Sequence, residues 1–396
     1  MATNYRFRPL WPALLVGLAL LAYALHAVAI DPRLLADDYV EYWAAGRLNL
    51  THGNPYAADQ LLPLERAAGR TTEVLMMWNP PYTLALAMPL ALADYGTSRL
   101  LWLLLNIAAV MIATSWWWRL SGGPPGRWWL AQIVAFTFFS TVTVLRMGQI
   151  GPLLLLGIVG FVRYERERRD WRAGALLALV AIKPHLLYLI WPALLLWTAR
   201  TRRWRVLAGA ALALLAATAA ALIANPAVIG QYLAATAADS PLIWATPTFG
   251  SLLRLLLGFD RRWLQFVPLA PGLLWLLIYW RRHRDRWQWA EHMPLLLLVS
   301  VITTAFGWSF DQVVLLPAIL VPVVQAAGWR PTRRSQARGL CYALACYVAI
   351  NIGAWMLYGR FSDFWQIWLA PALLIWYLYV HSRYNESPIQ SAFPTR

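Results

Sequence analysis

The chain contains little charge, two cysteines and a single lysine in 396 residues. Charged residues make up 13% of the sequence and hydrophobic residues 60%, whereas soluble domains carry about 25% and about 45–50% respectively. This composition excludes an ordinary soluble protein. Cys341 and Cys346 lie in one apolar run. A helix would point them to different faces, so a disulfide scaffold is excluded as well. We interpret both cysteines as packing residues.

The sequence also lacks the common motifs of soluble enzymes. It contains no glycine-rich phosphate loop, no HExxH or CxxC metal pattern and no GxSxG nucleophile elbow. These absences remove the familiar routes to nucleotide hydrolysis, metal catalysis and a serine nucleophile. We therefore predict no cofactor and no metal site, and leave dependence on a divalent metal open.

The formal net charge is +16, which would suit a nucleic-acid-binding protein. The distribution of the charge indicates another role. Arginines cluster in short segments between apolar runs, at 163–172, 200–205, 281–286 and 330–338. Short basic segments that flank apolar spans are typical of cytoplasmic loops, because positive charge is retained on the inner side of a membrane. We predict a lipid bilayer as partner and no nucleic acid.

The N-terminal part predicts a membrane helix followed by a segment on the outer side. Residues 10–30 form an apolar run that is longer than the roughly 7–15-residue core of a signal peptide. Residues 31–73 hold seven acids and four arginines, the opposite balance to the other loops. We expect a cytoplasmic N-terminus and a first extracytoplasmic loop over residues 31–79.

Later apolar runs predict an all-α polytopic protein of the inner cell membrane, with about 11–13 transmembrane or re-entrant helices. We expect one domain over residues 1–396, with a second extracytoplasmic loop at 225–262 and a polar tail at 382–396. A short, proline-interrupted run at 80–93 is a re-entrant candidate. The candidate spans are 99–118, 129–145, 150–162, 173–198, 206–224, 264–280, 293–308, 312–328, 339–358 and 364–380.

The run at 173–198 is interrupted at its centre by Lys183-Pro184. Proline removes a backbone donor and clashes with the preceding turn, so we predict two half-helices or a kinked helix. Both flanks of the run are basic, which places its tip at the outer side. With this placement, the loops cannot alternate strictly between the two sides of the membrane, because the count between residues 80 and 150 is off by one crossing. A re-entrant segment at 80–93 would account for the difference.

Lys183, the single lysine, is a candidate site residue. A cation at membrane depth costs about 2.5–3.5 kcal/mol on insertion scales and commonly marks a substrate site, an ion path or a buried pair. The alternative is a lysine that snorkels to the outer interface. Its neighbours Pro184 and His185 favour the site.

Asp37 and Asp38 form a second candidate, just after the first predicted helix. Adjacent carboxylates repel each other, which raises the proton affinity of one and suits it to act as a general base. The alternative is a helix N-cap, since Glu41 follows Asp38 at capping-box spacing. Tyr42 and its aromatic neighbours are equally compatible with anchors at the membrane interface.

Two polar islands, at residues 146–149 and 308–312, interrupt other apolar runs. Each island alone is compatible with a simple turn between helices. On the outer side, however, Gln149 and Asp311 would meet Asp38 and Lys183. We predict that these side chains converge on one face of the membrane.

Five segments of the chain stand out as an ordered set. They are DYVEYWAAGRL…GNPY (38–56), WNPPYTLALAMPL (78–90), MGQIGPLLLLG (147–157), AGALLALVAIKPHLL (173–187) and GWSFDQVVLLPAIL (307–320). In order and spacing they resemble glycosyltransferase family 87. The resemblance covers most of residues 10–330 and depends on the ordered set rather than on any one motif. It implies a GT-C fold and transfer of a sugar, usually mannose, from a polyprenyl-phosphate donor to a glycolipid or glycan on the outer face of the membrane.

The resemblance also implies roles for individual residues. Asp38 matches the acid of a D-(F/Y)-x-x-Y motif, the position of the catalytic base. Gln149 matches a GQ motif and Lys183 a KP motif, while Asp311 departs from members that carry a histidine, which leaves its role open. The predicted site comprises Asp38 as base, Gln149, Lys183 and His185 for donor binding, and Asp37, Tyr42, Asn79 and Asp311 for substrate binding.

These residue types suit sugar transfer chemically. A carboxylate can remove the proton of an acceptor hydroxyl as it attacks, and a fixed cation can stabilise the leaving polyprenyl phosphate. We expect a single displacement with inversion. A transporter or lipid flippase is the main alternative, because buried charges and broken helices also serve substrate pathways. A noncatalytic scaffold is a third alternative, but it would not need a lysine at depth.

Overall fold

The computed structural model describes residues 38–238, 241–328 and 334–385. In these ranges it contains 17 α-helices and eight short 3-10 helices, and no β-strand. The prediction of an all-α polytopic membrane protein is confirmed. The predicted first membrane helix, residues 10–30, lies outside the described residues.

The α-helices are numbered here in chain order. The first nine are α1 (Tyr39–Leu50), α2 (Ala58–Ala67), α3 (Leu84–Ala91), α4 (Tyr95–Leu120), α5 (Trp129–Thr137), α6 (Phe139–Met147), α7 (Gly151–Arg166), α8 (Asp170–Leu177) and α9 (Ile190–Thr201). The remaining eight are α10 (Trp204–Ala224), α11 (Val228–Ala238), α12 (Phe249–Leu257), α13 (Leu269–His283), α14 (Trp289–Thr303), α15 (Leu316–Gly328), α16 (Arg334–Leu357) and α17 (Leu369–Asn385).

Three helical segments of the described chain are long and apolar enough to cross a membrane alone: α4, α10 and Arg262–Arg286, which contains α13. The segments Pro125–Thr137 and Phe139–Met147, which contain α5 and α6, would form a fourth span together, with a bend of 63° between them. Several other predicted spans are shorter apolar helices, such as α14. Only 22% of the apolar stretch of α10 is buried inside the protein, as expected for a helix that faces lipid.

The run at 173–198 is broken, as its proline predicts. α8 is followed by a 3-10 turn at Ala178–Ile182, and α9 begins only at Ile190. Lys183 ends the turn with φ −126° and ψ 71°, outside the helical region, because a residue that precedes proline is disfavoured there. The break therefore lies at the one lysine of the chain.

The two segments predicted as extracytoplasmic loops contain helices, α1 and α2 in the first and α11 and α12 in the second. The close approach of α1 to α3 explains the first case, since a Cβ atom on Gly46 would lie 3.0 Å from the backbone carbon of Ala87. The predicted polar tail also begins inside α17, which ends at Asn385. Cys346 is exposed, so its interpretation as a packing residue was wrong.

The helix α7 lies at the centre of the elements that carry polar residues. It packs against α4, α8 and the 3-10 helix Ser309–Leu315. Its glycines allow the close approach of α8, since a Cβ on Gly157 would lie 2.7 Å from the carbonyl oxygen of Leu176. This packing brings the start of α7, the break after α8 and the 3-10 helix to one place.

Candidate active site

Four polar side chains from four separate elements form one hydrogen-bonded chain. Gln149 donates from Nε2 to Oδ2 of Asp38 at 2.9 Å. Lys183 donates from Nζ to Oε1 of Gln149 at 3.1 Å and to Oδ1 of Asp311 at 2.8 Å. The structure thus brings together the four residues that the sequence predicts to converge.

Asp38 immediately precedes α1, but its carboxylate does not cap that helix. The capping alternative is wrong, because the side chain accepts its hydrogen bond from Gln149 instead. The backbone N–H of Asp38 donates to the carbonyl oxygen of Met147 at 2.7 Å. Two bonds to neighbouring residues of one turn therefore fix the position of this carboxylate.

The turn that presents Gln149 depends on a glycine. Gly148 ends α6 in the left-handed region, with φ 69°, which a residue with a Cβ adopts only with strain. A Cβ on Gly148 would also lie 2.7 Å from the Cβ of Tyr39. The Gly148 carbonyl accepts a hydrogen bond of 2.6 Å from the indole of Trp102. This explains why glycine precedes glutamine at the site.

Lys183 forms a buried ion pair. Its side chain is 11% exposed and that of its partner Asp311 is 2% exposed. The ammonium also lies 5.4 Å from the centroid of the Phe310 ring, where a cation–π attraction adds to the ion pair. A lysine that snorkels would place its ammonium in exposed surroundings, so this geometry favours the site interpretation.

Asp311 lies in the 3-10 helix Ser309–Leu315, and its second carboxylate oxygen accepts the backbone N–H of Trp308 at 3.0 Å. The start of this helix is in turn held by Asp363, whose carboxylate accepts hydrogen bonds from the backbone N–H and the hydroxyl of Ser309. Asp363 was not predicted as a site residue. It lies in a separate 3-10 helix, and only the tertiary structure shows its proximity to Asp311.

Asp38 lies outside the candidate spans and is partly accessible. Burial in its surroundings raises the pKa of its carboxyl above the usual value, although the hydrogen bond from Gln149 and the charge of Lys183 oppose this effect. A carboxylate with a raised pKa binds a proton more readily, which suits a general base.

Glu41 is a further acid that the sequence suggested only as part of a capping box. It is buried in α1, and burial followed by repulsion from Asp38 raises the pKa of its carboxyl well above the usual value. Buried carboxyl groups without a cationic partner favour the protonated form.

The other predicted site residues have different surroundings. Tyr42 is buried and donates to Oε1 of Gln149 at 2.9 Å, so it supports the network rather than facing open space. Asn79 is also buried and donates to the carbonyl oxygen of Ile182 at 3.2 Å. His185 is exposed, and its ring packs edge-on against Phe306. Asp37 lies outside the described residues.

A row of aromatic side chains extends away from the network. Phe310 stacks with Trp308 at a centroid distance of 6.1 Å, Trp308 contacts Trp244 at 6.2 Å, and Trp244 contacts Trp78 at 6.3 Å. Trp78, Trp244 and Trp308 all retain accessible surface. Apolar ring faces therefore lie beside the ion pair of Lys183.

Within the described residues, no group of three or more His, Cys, Asp or Glu side chains is arranged to hold a metal ion. The acids of the site are instead separated by Gln149 and Lys183. The arrangement can accept a proton at Asp38 and bind an anion at Lys183, which is the combination needed for acid–base group transfer.

The fold and the site define a polytopic membrane protein with a buried, charged centre between broken helices. The profile of glycosyltransferase family 87 matches residues 78–304, more than half of the chain. The chain therefore belongs to glycosyltransferase family 87 and is a membrane glycosyltransferase. The match includes Gln149 and Lys183, whereas Asp38 and Asp311 lie on either side of it. No curated protein and no solved structure shows detectable similarity to the chain.

Proposed function

We propose that this glycosyltransferase moves a hexose, mannose in our assignment, from a polyprenyl-phosphate donor to a glycolipid or glycan acceptor. We assign the reaction to the extracytoplasmic face of the inner membrane and the architecture to the GT-C type. The observation that supports the proposal best is the hydrogen-bonded chain from Asp38 through Gln149 to Lys183. It joins a carboxylate that can accept a proton to a cation that can bind a phosphate.

In the proposed reaction, the acceptor hydroxyl oxygen attacks the anomeric carbon of the donor sugar. Asp38 accepts the hydroxyl proton as the new carbon–oxygen bond forms. The bond from the anomeric carbon to the phosphate oxygen breaks, and the polyprenyl phosphate leaves with the bonding electrons. A single displacement of this kind inverts the configuration at the anomeric carbon.

Lys183 would stabilise the negative charge that develops on the leaving phosphate. An ammonium has three N–H donors, and Asp311 and Gln149 accept two of them. The third can be directed to a phosphate oxygen. A fixed cation in desolvated surroundings stabilises such charge more strongly than one in water, because it needs no reorganisation during the reaction. Asp311 would keep the ammonium in position.

The proposal is tested with purified protein, polyprenyl-phosphate mannose labelled in the sugar, and a membrane lipid extract as the source of acceptor. We expect a labelled lipid or glycan product that depends on Asp38, and less product when polyprenyl-phosphate glucose replaces the mannose donor. Uptake of label into sealed vesicles without any covalent product would instead support a transporter.

The pH profile of transfer should reveal the titration of Asp38. Asp38 must be ionised to act as the base. Because its pKa is raised, activity should be lost, as the pH falls, at a higher pH than with an ordinary aspartate. Gln149→Ala removes a hydrogen bond that lowers this pKa. We therefore expect the acid limb of kcat/KM to move to higher pH in this variant. An unchanged acid limb in this variant would contradict the assignment.

The orientation can be tested with single cysteines in a Cys341→Ser, Cys346→Ser background. Asp59 in α2 is exposed, and our assignment places it outside the cell, so Asp59→Cys should react with an impermeant thiol reagent in intact cells. Arg284→Cys, at an exposed position in a basic segment, should react only after the membrane is opened. The reverse labelling pattern would overturn the orientation.

A further inference from the structure

A cavity of about 240 Å³ lies at the turn between α7 and α8, and none of the candidate active site residues lines it. It is formed by this turn and by the first residues of α10. The cavity has one acidic lining residue and four arginines. The lining residues are Arg168, Arg169, Asp170, Trp171, Arg172 and Arg205.

The acidic residue of the cavity is already neutralised. Arg203 donates from Nε to Oδ1 of Asp170 at 3.0 Å, and it also forms ion pairs with Asp170 and Glu165. Arg169 has a partner of its own, Glu167, at 3.5 Å. The three acids near the cavity are therefore paired with Arg169 or Arg203.

The other three arginines of the cavity have no such partner. No carboxylate of the described residues lies within 4.0 Å of Arg168, Arg172 or Arg205. All three are exposed. Guanidinium groups that are not paired with a carboxylate can bind phosphate, because their planar N–H groups match phosphate oxygens in pairs.

The cavity lies at the end of a candidate membrane span. Trp204 is the first residue of the span Trp204–Ala224, and Arg205 follows it. Trp204 is 55% exposed and Trp171, in the cavity wall, is 51% exposed. Exposed tryptophans at the end of a span are typical of the headgroup level of a bilayer. The arginines are therefore at the depth where lipid phosphates lie.

The geometry of the cavity is held by the tight packing of α8 against α10. A Cβ on Gly209 would lie 2.5 Å from the carbonyl oxygen of Trp171. Gly174 likewise contacts the backbone of Val206. These contacts fix the backbone that carries Arg172 beside the backbone that carries Arg205. The backbone positions of these two arginines are therefore fixed relative to each other.

We propose that this cavity binds the phosphate of an acidic phospholipid headgroup in the leaflet that it faces. The three arginines without carboxylate partners hold the phosphate, and the two exposed tryptophans contact the upper parts of the acyl chains. Basic pockets between membrane helices recognise anionic headgroups in this manner. The bound lipid would connect the start of α8 to the start of α10.

The experiment compares two matched variants of the full chain in detergent, with phosphatidylglycerol and phosphatidylcholine as probes and native mass spectrometry as the readout. The cavity variant is Arg168→Gln/Arg172→Gln/Arg205→Gln. The control variant is Arg281→Gln/Arg282→Gln/Arg284→Gln, which removes the same charge from exposed positions at the end of another span.

We expect at least a tenfold loss of phosphatidylglycerol affinity in the cavity variant, less than a twofold loss in the control variant, and no change for phosphatidylcholine. The unfolding temperature of the unmodified protein should rise on addition of phosphatidylglycerol. That rise should disappear in the cavity variant only. Equal losses in the two variants would show a general charge effect and overturn the proposal. Displacement of the lipid by millimolar inorganic phosphate would identify a site for soluble anions and overturn it as well.

Discussion

Asp38→Asn should abolish sugar transfer while leaving the protein folded. Asparagine has the same size and can still accept the hydrogen bond from Gln149 at its side-chain oxygen, but it cannot accept a proton. Positioned general bases contribute about 10²- to 10⁴-fold to rates, so we expect a loss of kcat in this range with little change in donor KM. The measurement is the initial rate of labelled product formation at saturating donor.

The matched control is Asp59→Asn, which alters an exposed acid of the same segment and should leave the rate within twofold of the unmodified protein. Thermal unfolding should be unchanged in both variants. Asp38→Glu retains a carboxylate on a longer side chain and should recover part of the lost rate. If Asp38→Asn kept near-normal activity, the proton acceptor would have to be another group, and the assignment of the base would fail.

Some parts of the site carry local signals that the sequence alone makes visible. Lys183-Pro184 combines a charge in an apolar run with a residue that breaks helices. Both the break and the choice of Lys183 as a site residue could therefore be predicted. Gly148-Gln149 is polar between two apolar segments. Such signals can be read from a few neighbouring residues, because the cost of a charge among apolar residues and the effect of proline on a helix are both local.

Other parts depend on contacts between distant segments. The hydrogen bond between Lys183 and Asp311 joins residues 128 positions apart, and the support of Ser309 by Asp363 spans 54 positions. Nothing in the residues around Asp363 distinguishes it from an acid in a loop. The helix α1 was foreseen only through the capping alternative at Asp38, and the packing of Gly46 against α3 joins segments that are about 40 positions apart.

Lys183→Met should both destabilise the protein and abolish transfer. Removal of the ammonium leaves the carboxylate of Asp311 buried without its cation, and the loss of one partner of a buried pair costs about 3–5 kcal/mol. The leaving phosphate would lose its stabilising charge, which we expect to lower kcat by about 10²- to 10³-fold, as for other fixed groups that stabilise developing charge. Thermal unfolding in detergent and the rate of product formation measure the two effects separately.

The double variant Lys183→Met/Asp311→Asn separates the two roles of the lysine. Neither side chain then carries a charge, and asparagine can still accept the backbone N–H of Trp308 that Asp311 accepts, so most of the lost stability should return. Transfer should stay as low as in Lys183→Met, because the cation is still absent. If activity returned together with stability, Lys183 would act only by neutralising the charge of Asp311. A lysine that stabilises the leaving phosphate would still be needed after the charge of Asp311 is removed.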